Sequence, residues 1–302
     1  MIGCFGKLPS SADFVSLHGA AEEVCEFDAW LQASLAAMRH REDWQALFDG
    51  LPMCFFNYQA RNGNRLLGGL LSSRDASERR YPFFIFQLLK GQEGEALHNP
   101  FTLGELFSAQ IKPLLHQAVQ GTDCAALFER IKALRPLHGQ DLDLFRRVHA
   151  KFLHDFSFSD IARALQGSWP TFDSTTALAH LRSVAGALNG DYQGGIELPL
   201  PAERGLKNPT ADLWQTWLTR LGASRGVPAV SLLADDFMHP TLFCFPSRHS
   251  SNAYRLLSGT AQAPLHLELL SPLPLVPHTH DYDRPLERVI DLFVDTLDAT
   301  PV

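Results

Sequence analysis

No CxxC or CxxH spacing occurs in this chain, and its five cysteines (Cys4, Cys25, Cys54, Cys124 and Cys244) are widely scattered. That argues against a small zinc module or a disulfide framework and leads us to expect free thiols in a reducing compartment. No stretch approaches the roughly twenty apolar residues that cross a bilayer, so membrane insertion is not expected. The opening MIGCFGKLPSSADF lacks a basic segment followed by an apolar one and does not read as a secretory signal. No Lys/Arg run reaches four, and 26 basic residues face 33 acidic ones, a formal charge of −7. Without a basic stripe to track phosphates, no nucleic-acid partner is expected. A soluble, cytoplasmic protein is the expectation.

Catalytic signatures are also scarce. Gly6-Lys7 lacks the earlier glycine of a phosphate loop, and Leu8-Pro9 stands where a magnesium-holding Ser/Thr and a helix start belong. There is no GxSxG and no HExxH. His278, His280, Asp281 and Asp283 form the densest group of metal-type ligands, and they read as solvated loop residues. Asp235-Asp236 with His239, just after an apolar run, is the best remaining acid/base group and supports a hydrolase as the alternative reading. A turn or cap is the plainer role for that pair. No cofactor and no metal are expected.

What the chain does contain is core: 45% of its 302 residues are apolar, 21 of them phenylalanine, enough for a sizeable interior. Val24, Phe27, Trp30, Leu31, Leu35 and Met38 recur at helical spacing behind Glu22 and Glu23, where the helix dipole favours negative charge. Met53–Gln59, Arg65–Ser73 and Tyr81–Leu89 read as strands, the first two joined through Arg61-Asn62-Gly63-Asn64 as a hairpin. The third is apolar on both faces and reads as a central strand, with Pro82 at its start. Thr102 and Glu105 have capping-box spacing for the next helix, which Pro113 should kink. Helical patterns follow at Asp123–Leu134, Leu142–Leu153, Ser159–Leu165, Ser174–Leu188 and after Asn208-Pro209. Gly194–Gly205 and Pro264–Pro277 read as loop or extended chain. Val227–Ala234 and Thr241–Phe245 read as strands, His249–Leu257 as a short helix and Pro285–Leu297 as a terminal one. The expected class is mixed α/β. Residues 1–122 would be an α/β domain, and 123–302 a helix-rich region with a smaller sheet.

Phe5–Val15 (FGKLPSSADFV), Phe27–Arg39 (FDAWLQASLAAMR) and Ser77–Phe84 (SERRYPFF) together resemble the signature of the TagF (ImpM) family of type VI secretion accessory proteins. Matching positions include Gly6, Lys7, Pro9, Asp13, Phe14, Trp30, Arg79, Arg80, Tyr81 and Pro82, whereas Glu78 stands where glycine is usual. In the second half, Ser231-Leu232-Leu233-Ala234 replaces a Ser-Leu-Trp-Trp strand. The resemblance implies a longin-like sheet flanked by helices and no catalysis. It also implies post-translational, negative regulation of assembly through contact with a forkhead-associated scaffold or a baseplate component.

From the residues themselves, Gly6 and Pro9 should shape the first loop, and Asp13 should accept backbone N–H groups or pair with Lys7 or Arg79. Lys7, Asp13, Arg79 and Arg80 lie at loop–strand junctions and are expected to form one polar patch that meets a partner, with Phe14 and Tyr81 beside it.

Overall fold

A computed structural model describes residues 1–91, 99–187, 192–203, 205–221, 228–262, 266–270 and 282–289. The strands are β1 (Ile2–Gly6), β2 (Val15–Leu17), β3 (Cys54–Gln59), β4 (Arg65–Leu71), β5 (Phe83–Leu89), β6 (Gly195–Pro199), β7 (Val230–Ala234), β8 (Thr241–Phe245) and β9 (His266–Glu268). They make one mixed sheet in the order β2-β1-β5-β4-β3-β7-β8-β6-β9. All pairings are antiparallel except the parallel β6–β9 contact.

The hairpin of Arg61–Asn64 sets Gln59 opposite Arg65, with Gly63 at φ +83°. Seven consecutive residues of β5 are buried, as a strand covered on both faces requires. The expected smaller second sheet does not stand apart. β7 pairs with β3, so strands of the second half continue the sheet of the first. The free N–H and C=O groups of β3's outer edge are thereby satisfied internally.

On one face lie α1 (Glu22–Met38), α2 (Trp44–Asp49) and α10 (Ala253–Leu257). Phe27, Trp30, Leu31 and Leu35 of α1 pack there on Phe56, Tyr58, Phe84 and Phe86. The opposite face carries α4 (Glu105–Val119) and α5 (Cys124–Lys132) over the N-terminal strands. Beside them, α7 (Phe158–Ser168), α8 (Ser174–Ala187) and α9 (Lys207–Leu221) cover the C-terminal strands. Two further helices, α3 (Pro100–Leu103) and α6 (Gly139–Asp155), pack on Leu89.

Thr102 does not cap the helix that bears Glu105. It lies within α3, and α4 starts after Gly104. The buried Asp212 of α9 takes the Phe101 and Thr102 N–H groups at 3.1 and 2.7 Å, and so caps α3 from another part of the chain. Gly194–Gly205, expected as loop, contains β6. A Cβ at Gly195 would sit 2.2 Å from Leu256 Cδ1 and 2.8 Å from the Phe245 ring, so a larger residue there would have to displace those side chains. Asn189-Gly190, the His278–Asp281 group and most of Pro264–Pro277 lie outside the described residues. Of the expected terminal helix, Leu286 and Val289 are buried in the core, and residues from 290 onward lie outside.

Gly6 ends β1 at φ +138°, and a Cβ would fall 2.1 Å from the Pro82 carbonyl oxygen and 2.7 Å from Phe83 Cα. Both obstacles are backbone, so no side chain can move aside. Gly6→Ala should therefore lower the unfolding free energy by about 3 kcal/mol or more. Urea titration checks this, and an unchanged midpoint would show that the β1–β5 register is different.

Candidate functional site

Three separate stretches meet at the end of β1. Leu8–Ser11 forms a turn closed by the Ser11 N–H on the Leu8 carbonyl at 3.0 Å. Ser10 Oγ ties it to the Thr122 carbonyl at 2.9 Å, beyond the end of α4. The β4–β5 connection then brings Arg74–Tyr81 alongside.

The group that organises this meeting is Asp75, whose side chain has no exposed surface. Its carboxylate accepts from Lys7 Nζ, from Arg79 Nε at 2.7 Å, and from the backbone N–H groups of Ser77 and Arg79 at 2.9 and 3.0 Å. Burial alone would raise its pKa. The Lys7 and Arg79 donors and the two N–H groups outweigh burial and hold it well below the usual carboxylate range. Asp75 was not among the sequence candidates. The available signal was Asp75-Ala76-Ser77, an acidic residue whose side chain takes a backbone N–H two residues on.

Asp13 behaves differently from the expectation. Its carboxylate is 97% exposed and comes only within 4.0 Å of Arg79, while Lys7 pairs with Asp75 instead. Arg79 also donates to the Ala12 carbonyl, which fixes the loop that carries Asp13. Lys7, Asp13 and Arg79 are thus together. Arg80 turns away to a two-pronged pair with Asp49 at 2.8 and 2.7 Å.

Aromatic rings complete the surface. Lys7 Nζ lies 4.9 Å from the centre of the Phe14 ring. Phe14 stacks on Phe5 at 5.2 Å and meets Tyr81 edge-on at 5.2 Å, yet stays 45% exposed. Tyr81 is buried and donates its hydroxyl to Asp28, which also receives Gln32 Nε2 at 2.7 Å. Burial and the neighbouring Asp28 charge both raise the Tyr81 pKa, so the phenol stays protonated and donating. Trp30 sits behind, stacked on Phe27 at 5.9 Å and edge-on to Phe245 at 5.4 Å. Pro82 immediately precedes β5. Lys7, Phe14, Arg79, Arg80 and Tyr81 line an open cleft of about 660 Å³ together with residues of α1 and α2.

Residues 3–134 match the family described as TagF N-terminal domain, Type VI secretion system-associated. Over residues 3–134 the chain is similar to a TagF N-terminal domain. The TagF match covers β1 to β5 with α1 to α5, and therefore every residue of the cleft. The solved structure of the protein PA0076 from Pseudomonas aeruginosa PAO1 is similar at 22% identity with a TM-score of 0.38. That likeness covers 45% of this chain and 63% of the other, less than two thirds of that protein's length. No curated protein matches the chain.

Outside residues 3–134, the residues of the hydrolase alternative are engaged in other contacts. Asp235 is paired with both Lys112 and Lys207. Burial would raise its pKa, but the two lysines outweigh burial and lower it. Asp236 folds back to accept the Met238 and His239 N–H groups at 2.6 and 2.9 Å, a turn-forming role. The His239 ring packs edge-on against Trp169 at 5.1 Å. Among the described residues no group of three or more His, Cys, Asp or Glu side chains is placed to hold a metal ion. No helix there is long and apolar enough to cross a membrane.

Proposed function

We propose that this protein regulates type VI secretion by binding another component of the system, without catalysis of its own. The observation that carries the reading is the match of residues 3–134 to the TagF N-terminal domain; Lys7, Phe14, Arg79 and Tyr81, from separate stretches, line one open cleft within it. The partner is a forkhead-associated scaffold or a baseplate component, and the effect is negative: the bound component is withheld from assembly. Contact of this kind needs complementary area and a few anchors rather than reactive groups. Phe14 and Arg79 suit the anchor role, being aromatic and guanidinium side chains held by neighbours yet exposed.

Affinity capture from the native cytoplasm tests this. The tagged wild-type chain should recover a type VI component. Phe14→Ala and Arg79→Ala/Arg80→Ala, shown to be folded by circular dichroism, should lose about ten-fold or more of it. Equal recovery by all three would remove the face from the interface. Deleting the protein should raise secretion, and a fall in secretion would instead assign it the role of an assembly-promoting scaffold.

A further inference from the structure

The cleft is lined by charged and aromatic side chains. Its lining holds four cations (Lys7, Arg39, Arg79 and Arg80) and one carboxylate, Glu78. Glu78 is already engaged by Arg74 at 2.6 Å. Lys7 and Arg79 share the buried carboxylate of Asp75, the exposed Asp13 carboxylate lies 4.0 Å from Arg79, Arg80 is matched by Asp49, and Asp28 is taken up by Tyr81 and Gln32. Arg39 follows the last turn of α1 and lies over the Trp44 ring, its guanidinium carbon 5.4 Å from the ring centre. It makes no ion pair with any carboxylate among the described residues. Arg39 is therefore the lining cation left without a carboxylate partner among the described residues, and the walls around it include the Phe14, Trp44 and Tyr81 rings. Aromatic walls beside an uncommitted guanidinium suit a ligand that brings a carboxylate next to an apolar group.

We propose that the cleft takes an acidic segment of a partner protein, with a carboxylate paired to Arg39 and an apolar side chain lying against Phe14 and Trp44. This deepens, and rests on, the proposed partner-binding role of the same face. Arg39 and Trp44 would read the segment, whereas Asp75 would act only by holding Lys7 and Arg79 in place.

The test uses the full chain and two labelled octapeptides, one alternating Glu with Leu and the other alternating Gln with Leu, followed by fluorescence anisotropy. The acidic peptide should bind at least about ten-fold more tightly than its neutral counterpart. Arg39→Glu should weaken the acidic peptide by about ten-fold or more while leaving the melting temperature unchanged. Arg39→Lys should recover part of the loss. Equal binding of the two peptides, no binding of the acidic one at about 1 mM, or an Arg39→Glu variant that binds like wild type would each overturn the assignment. Displacement by inorganic phosphate at equal concentration would overturn it too, in favour of a phosphate-bearing ligand. None of these outcomes depends on which protein is captured from the cytoplasm. A chain that captures a type VI component but does not bind the acidic peptide loses only the cleft assignment. One that binds the peptide but captures no component loses the regulatory reading.

Discussion

Phe27→Ala should lower the unfolding free energy by about 3–5 kcal/mol. The Phe27 ring is fully buried between α1 and the sheet. Its centre lies 4.5 Å from Phe56, 5.2 Å from Tyr58, 5.3 Å from Phe84 and 5.9 Å from Trp30. Three of those neighbours sit on β3 and β5, whose backbones are fixed by pairing to strands on both sides. The sheet cannot close over the missing ring, so most of the vacated space stays empty. Aromatic contacts beyond simple burial are lost as well, each worth about 0.5–1.5 kcal/mol. Phe27→Leu should cost less than half as much, because it refills most of the volume. Urea unfolding of both variants checks this, with the slope of the transition unchanged. A loss below about 1 kcal/mol for the alanine variant would place Phe27 outside the core.

The second large effect is a pH dependence with two opposing parts. Burial of Asp212 pushes its carboxyl up to about 7, only partly offset by the Phe101 and Thr102 groups that it accepts. The unfolded chain ionises the same group near 3.9. Between those values the native state keeps a proton that the unfolded state has released. Its contribution to stability therefore falls as pH rises, by about 1.4 kcal/mol per unit, and levels off above about pH 7. Burial pushes His149 the other way, from an ordinary 6.5 down to about 4. Across that interval the unfolded state binds the proton and the native state does not, so this contribution is lost as pH falls.

Between about pH 4.5 and 6 the two slopes oppose each other and largely cancel in the wild type. Single variants expose them. Stability of Asp212→Asn should rise with pH relative to wild type by about 1.4 kcal/mol per unit, and that of His149→Gln should fall by a similar amount. Urea midpoints at four pH values in this window are sufficient. Profiles parallel to wild type for both variants would mean that neither group titrates from a buried position.

Much of the fold is legible residue by residue. The spacing of Val24, Phe27, Leu31 and Leu35 marks one face of α1, and every one of them is buried. Asn62-Gly63 sets a hairpin, and Gly63 adopts the positive φ that such a turn requires. The uninterrupted apolar run of β5 identifies a strand covered on both sides. Legibility fails where one segment's role depends on a distant one. β6 is hidden among Gly194, Gly195 and Pro199, which punctuate loops elsewhere, because its pairing with β8 and β9 and its burial involve residues distant in the chain. Thr102 and Glu105 have capping-box spacing, yet Asp212, 110 residues away along the chain, supplies the cap to the preceding turn.

The candidate site divides in the same way. Gly6, Lys7, Phe14, Arg79 and Tyr81 stand out in the sequence because they fall in recognisable segments at loop–strand junctions. Asp13 and Asp75 look alike there, each an acidic residue in a polar stretch. Only the packing separates them: 68 residues from Lys7, Asp75 is enclosed, and Lys7 and Arg79 close upon it, while Asp13 stays in water. The sequence by itself determined most of the elements and their buried faces, since periodicity and turn chemistry are local properties. The tertiary structure decided that β7 completes the edge of β3 and that Asp75 anchors the patch. It also left Arg39 facing the cleft beside Trp44. Strand edges and buried charges are satisfied by whatever lies nearest in space, and spatial proximity across the chain is not a local property.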